Sequence, residues 1–300
     1  MATVLITGGS GLIGTALTAA LLAQDHEVRH LSRAHKRAGP FRTFLWDIDS
    51  GTMDGEALFE VDHIIHLAGA GIADKRWTAP RVHELIRSRT ESARLLLRTA
   101  RDQNVHVKSF ISAAGINFYG SITTDHLFVE NDAAAKDTIG TISRVWEEAV
   151  DEWSPYTRVA KLRTPVVLSP SGGALQKLVA PVRWGAAAAL GSGKQWMPWI
   201  HVEDLVRIYV EAIANDRFVG AYNVNTGADV TNDEFMRTAA RVLGRPFFLP
   251  NVPGFLLKAA LGELSSVLLE GSRASNKKLL DTGFTFRYPT LEGALRALLK

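Results

Sequence analysis

Gly9, Gly11 and Gly14, within the run Thr7-Gly8-Gly9-Ser10-Gly11-Leu12-Ile13-Gly14, form a G-x-G-x-x-G spacing, and Gly8 adds a second set at intervals of three. Side chains are missing where a backbone must bend tightly, approach a bulky group, or let a helix pack on a strand. The group that such a turn approaches is the pyrophosphate of a dinucleotide. The apolar run Val4-Leu5-Ile6 precedes the turn, and Leu12, Ile13, Ala16, Leu17, Ala20 and Leu21 follow it at helical spacing. The turn therefore joins a buried strand to a helix whose unpaired N–H groups and positive dipole end point at the phosphates.

A second signal concerns the kind of dinucleotide. An acid at the end of the second strand accepts hydrogen bonds from the ribose 2′-hydroxyl of NAD and repels a 2′-phosphate. Ser32 stands there instead, followed by Arg33, with Lys36 and Arg37 close behind. A guanidinium forks onto phosphate oxygens, so the expected cofactor is NADP(H), although a solvated basic loop would have the same composition. Lys75, Arg76 and Arg89 can form a cationic rim suited to a small anionic substrate, or a solvated polar face. Trp184, Trp196, Met197 and Trp199 can line a substrate pocket between lobes, or pack a core. The nine histidines show no tight metal spacing.

These groups need a scaffold, and the rest of the chain supplies its outline. Strands are expected at Val28 to Leu31, Phe41 to Trp46 and His63 to Ala68, a fifth ending with Phe110 to Ser112, and a sixth at Thr157 to Leu168. Helices alternate with them, notably from Pro80 to about Gln103 and from Ser143 to Trp153. That alternation predicts an α/β fold, a Rossmann doubly wound parallel sheet with helices on both faces. Residues 1–168 are read as the NADP-binding domain and 169–300 as a smaller substrate lobe, with 200–226, including the strand Ala221 to Val224, returning to the large sheet. With 46% apolar residues among 300, a sizeable core is affordable. A formal charge of +3, from 34 Lys and Arg against 31 Asp and Glu, gives no support for nucleic acid as a partner. Zero cysteines exclude disulfides and thiolate chemistry. No signal peptide is readable and no uncharged apolar run reaches about 18 residues, Lys258 and Glu263 interrupting the best C-terminal stretch, so no membrane partner and a cytoplasmic location are expected.

With these motifs in place, the chain resembles the extended short-chain dehydrogenase/reductases. The likeness rests on the Thr7-to-Gly14 turn, Asp47-Ile48 after strand three, His66-Leu67-Ala68-Gly69 after strand four, and Trp199-Ile200-His201-Val202-Glu203-Asp204. Ile72 to Trp77, Ser88-Arg89, Trp146-Glu147-Glu148, Ser171-Gly172-Gly173, Ser265-Ser266-Val267 and Gly283-Phe284 resemble its poorly characterised "epimerase family protein" branch, whose members end in a region of unknown function. The resemblance implies adenine contacts from Asp47 and Ile48, cofactor contacts from Leu67, Ala68 and Gly69, and substrates such as sugar nucleotides. It also allows a homodimer through the long helices.

That superfamily's chemistry uses a serine and a Tyr-x-x-x-Lys pair, in which the ammonium lowers the phenol pKa and the phenol exchanges a proton with substrate. Ser112 fits the serine. The pair is absent: the best register places Gly140 at the tyrosine position and Arg144 at the lysine position. Tyr119 is the expected substitute acid, and Arg144 a holder of the nicotinamide ribose. Two functions follow from this mixture. One is an NADP(H)-dependent oxidoreductase or epimerase-like enzyme; the other is a catalytically degenerate NADP(H)-binding regulatory or redox-sensing protein.

Overall fold

The computed structural model describes residues 1–34 and 39–300. In chain order the first half comprises β1 (Thr3–Thr7), α1 (Leu12–Leu22), β2 (Glu27–Ser32), β3 (Arg42–Asp47), β4 (Thr52–Met53), β5 (His63–His66), α2 (Ala79–Asp102), β6 (Ser109–Gly115), β7 (Leu127–Phe128) and α3 (Thr138–Asp151). The second half comprises β8 (Arg158–Thr164), β9 (Val166–Leu168), α4 (Gly173–Arg183), β10 (Trp199–His201), α5 (Val202–Ala214), β11 (Gly220–Asn223), α6 (Asn232–Val242), α7 (Gly254–Leu261), α8 (Ser266–Leu269), β12 (Arg273–Ala274), α9 (Lys277–Leu280) and α10 (Leu291–Leu299).

Eight strands form one sheet in the order β11-β8-β6-β5-β1-β2-β3-β4, parallel except for the short β4. Its central strands bury residues on both sides because both faces are covered. Along β1, Val4 and Ile6 face α1 and α5, whereas Leu5 faces α2 and α3, the two-residue alternation of a pleated strand. The chain winds outward from β1 through β2 and β3, then returns to β5 on the other side of β1. That reversal opens a crevice beyond the carboxyl ends of β1 and β5, the ligand position of doubly wound sheets.

A third cluster, built on Trp199, Met197, Phe235, Val179 and Leu295, forms a smaller lobe from α4, α6 and α10. A fourth joins Trp77, Leu85, Ile139 and Ile142 to Leu264, fastening the C-terminal segment against α2 and α3.

The largest departures from the expected element boundaries are three. The run from Thr157 to Leu168 is two strands, because Pro165 lacks an N–H for the ladder; beyond it β9 leaves the large sheet and pairs with β10. Helix α3 begins at Thr138 instead of Ser143, capped by Asp137, whose carboxylate accepts from the Gly140 N–H at 2.8 Å. β6 continues past Ser112 to Gly115, three residues further in register with β8.

Candidate dinucleotide site

Around the turn, each glycine has a different neighbour. Gly8 adopts φ +69°, and a Cβ there would lie 2.9 Å from the Leu67 carbonyl. One on Gly9 would enter the His30 ring at 2.4 Å, and one on Gly14 would meet Gly8 O at 2.5 Å. Gly11 differs: its only near neighbour would be Gly8 O at 3.3 Å, so the space above it is open. Its N–H closes the turn onto Gly8 O at 3.0 Å. Behind it α1 starts with no side-chain cap and no acid in its first turn. The open face thus carries free N–H donors and positive dipole, which fits a pyrophosphate. Thr7 is buried, Ser10 exposed, and Leu12 and Ile13 half-buried at the helix start.

Thr7 also fixes the adjoining strand end. Its Oγ1 accepts from the Leu67 and Ala68 N–H groups at 3.2 and 3.1 Å, so its own proton goes to His66 Nδ1 at 2.8 Å. His66 is then protonated on Nε2, which donates to Ser92 Oγ at 3.1 Å, and Ser92 donates onward to Ser88 O at 2.7 Å. Burial lowers the His66 pKa to about 4. An unfolded imidazole takes up its proton near 6.5, so between those values the unfolded chain binds more protons than the native one. Stability should therefore fall as pH drops from about 6.5 toward 4, by about 3 kcal/mol from His66. Urea unfolding at pH 7 and pH 4 measures this, and a wild-type slope no steeper than that of a folded His66→Asn chain would refute it.

At the end of β2, Ser32 Oγ accepts from the Ala34 N–H at 3.4 Å, and Arg33 is exposed with no ion-pair partner among the described residues. Lys36 and Arg37 lie outside the described residues. Across from Arg33, Glu84 binds Arg81 at 2.7 Å, and its carboxyl is held below the ordinary range first by Arg81, with Lys75 and Arg33 adding to the effect. Asp47, at the end of β3, has its carboxylate pKa lowered by the Asp49 N–H, which it accepts at 2.8 Å; Ile48 beside it is half-buried against the core.

The catalytic candidates sit differently from expectation. Ser112 lies within β6, not at its end, paired in register with His66 and Lys161; it is wholly buried and its hydroxyl donates to Ala113 O at 2.7 Å. Tyr119 ends a short 3-10 turn, Ile116–Tyr119, and is 1% exposed. Its hydroxyl accepts from Arg163 Nη1 at 2.8 Å, and its single proton has Asn223 Oδ1 at 2.8 Å and Val129 O at 3.0 Å as acceptors. Burial pushes its pKa up to about 12. A locked, weakly acidic phenol is a brace, and Tyr119 is corrected to that role. Arg144 is exposed and pairs with Glu148 at 2.5 Å on its own helix. At Gly140 a Cβ would lie 2.6 Å from Ala135 O and 2.8 Å from Asp137 Oδ1, so the position aligned with the family's tyrosine has no room for any side chain.

Nor do the expected substrate residues form one rim. Lys75 and Arg76 are exposed, with Arg76 reaching toward Gly262, while Arg89 is buried under the loop after β5. Trp199 and Met197 belong to the core of the small lobe, which removes them from any pocket. Trp196 is half-buried, its indole N–H donating to Thr124 O at 2.9 Å with Arg273 over the ring, and Trp184 is 90% exposed. An open cavity of about 660 Å³ does occur elsewhere, between Gly191, Phe255, Lys258, Glu263 and Glu270. Arg163 and Arg81 escaped the sequence reading. Lys161 and Arg163, two residues apart inside an apolar strand, were the available signal for a buried ionic network; nothing local marked Arg81.

Residues 4–225 match the NAD dependent epimerase/dehydratase family, and residues 252–298 match a domain of unknown function, DUF1731. The chain belongs to that family, in the branch that carries this C-terminal domain. It is 38% identical to the epimerase family protein Mb2239 of Mycobacterium bovis over 98% of its length and 96% of the relative's. The crystal structure of human epimerase family protein SDR39U1 with NADPH superposes with a TM-score of 0.88 at 31% identity, covering 99% of this chain and 98% of that one. A nucleoside-diphosphate sugar epimerase from Corynebacterium glutamicum superposes with a TM-score of 0.80 at 28% identity, covering 99% of this chain and 58% of that one. No helix among the described residues is long and apolar enough to cross a membrane.

Proposed function

We propose that this chain binds NADP(H) and reads or retains that cofactor without a tyrosine-dependent proton transfer. What carries the reading is the contrast between an open cradle at Gly11 and a closed position at Gly140. The backbone from Gly8 to Ile13 would hold the pyrophosphate, Arg33 the 2′-phosphate, Asp47 and Ile48 the adenine, and Leu67 to Gly69 the far side of the cofactor. The human relative crystallised with NADPH supports the choice of NADP(H). Bound there, NADP(H) would supply or accept a hydride at its nicotinamide ring. Orientation by this chain's residues would remain, whereas the proton relay worth typically 10²–10⁴-fold would be missing.

The second reading, an oxidoreductase or epimerase-like enzyme on a sugar nucleotide or other small anion, is favoured by the likeness to a nucleoside-diphosphate sugar epimerase. Turnover assays on sugar nucleotides, ketones and quinones with NADPH separate the two. Rapid turnover of any of them would overturn the first reading.

Cofactor choice has its own test. Charge-assisted hydrogen bonds contribute about 1.5–3 kcal/mol, so Arg33→Ala should weaken NADPH roughly 10- to 150-fold and leave NADH almost unchanged. Parallel titrations of the two cofactors decide it. Equal losses would mean that Arg33 does not contact the 2′-phosphate.

A further inference from the structure

Arg89 is 6% exposed, yet no carboxylate pairs with it among the described residues. Its Nη1 donates to Leu85 O and its Nη2 to Ala70 O, both at 2.9 Å, and its guanidinium lies 4.9 Å from the Trp146 ring. Arg81 is equally buried, but Glu84 neutralises it at 2.7 Å. Arg89 therefore stands as an uncompensated charge, which a low-dielectric interior screens poorly.

The charge is also fixed in place. Three successive carbonyls of the loop after β5 are each held by a side chain: Ala70 by Arg89, Gly71 by Arg81 at 2.6 Å, and Ile72 by the Trp77 indole at 2.9 Å. Gly69, exposed at the start of that loop, lies directly over the guanidinium; a Cβ on it would be 3.0 Å from Arg89 Cζ. The charge is thus one residue beneath the surface. A dinucleotide bound across the crevice with its adenosine half toward Arg33 and Asp47, on the β2 and β3 side of β1, would extend its nicotinamide half toward the β5 side and this loop.

We propose that Arg89 makes the site discriminate between the redox states of its cofactor, holding NADPH, whose nicotinamide ring is neutral, in preference to NADP⁺, whose ring is cationic. This rests on the NADP(H) reading above and goes beyond it. The two forms share every phosphate, so those contacts cancel in their difference in affinity, and the change of that difference on removing the Arg89 charge reports its action on the ring.

The test is calorimetric titration of the full chain with NADPH and with NADP⁺, in wild type, Arg89→Met and Arg89→Lys, with folding checked by thermal melts. Wild type should prefer NADPH by about tenfold, Arg89→Lys should keep a preference, and Arg89→Met should bring the ratio near one. A loss of loop rigidity would weaken both forms alike and leave the ratio unmoved. A wild-type ratio within about twofold, or an unchanged ratio in folded Arg89→Met, would overturn the proposal. Should Arg89→Met not fold, wild-type competition between reduced and oxidised nicotinamide mononucleotide decides, and equal affinities overturn it. Binding of neither full cofactor to wild type would instead overturn the NADP(H) reading itself, and the proposal with it.

Discussion

A Gly11→Val chain is expected to fold as the wild type does and to bind NADPH at least roughly a hundredfold more weakly, the loss of two charge-assisted hydrogen bonds at about 1.5–3 kcal/mol each. Gly11 has φ −77° and ψ 177°, an extended conformation that valine adopts readily, and its side chain would project into open space, with Gly8 O at 3.3 Å as its nearest protein neighbour. That same space is where a pyrophosphate must approach the first N–H groups of α1. The neighbouring glycines should behave in the opposite way. Gly9→Ala drives a methyl into the His30 ring and Gly14→Ala drives one into Gly8 O, so both should lower stability by about 1–3 kcal/mol, as overpacked sites do. Thermal melts beside NADPH titrations separate the two classes. Wild-type affinity in a folded Gly11→Val chain would remove the turn from the binding site.

What could be read from residues alone divides along the range of the interactions. The glycine turn, the β1-to-α1 connection and the parallel α/β layout were legible, because spacing and apolar periodicity are local and both faces of the sheet needed cover. Boundaries were less so. Pro165 is visible in the sequence, but that it diverts β9 to a partner more than thirty residues on, at β10, depends on tertiary pairing. The residues with chemical side chains were the least legible. Ser112, Tyr119 and Arg89 have reactive or charged groups, and only the packed structure shows those groups buried against Ala113, Arg163 and Ala70. Arg144 is the opposite case: helix register places it along α3, while its exposure and its bond to Glu148 follow from which face of α3 the core covers. Trp199 shows that an aromatic near a cleft motif has no signal to distinguish a lining residue from a core one.

The network that claims Tyr119 predicts the second large effect, on stability. Arg163 is buried and bound by both oxygens of buried Glu147, at 2.7 and 3.0 Å, with Phe118 beneath the guanidinium. Its remaining partners, Tyr119 Oη and Glu130 O, are neutral, whereas Lys161, 3.4 Å from Glu147, keeps a second acid, Asp151, at 2.8 Å. Glu147→Ala therefore strands the Arg163 charge inside the protein while leaving Lys161 paired. Breaking one side of such a buried pair costs about 3–5 kcal/mol, and urea unfolding should show a loss of that size. Tyr119→Phe removes only a hydroxyl between Arg163 and Asn223, for which about 1–3 kcal/mol is expected, with the NADPH dissociation constant unchanged. The two substitutions share Arg163, so their effects should not add, and the double variant should lose less than the sum. A Tyr119→Phe chain with full stability but turnover on a true substrate reduced by tenfold or more, roughly the least that a lost acid–base group produces, would return the tyrosine to the reaction.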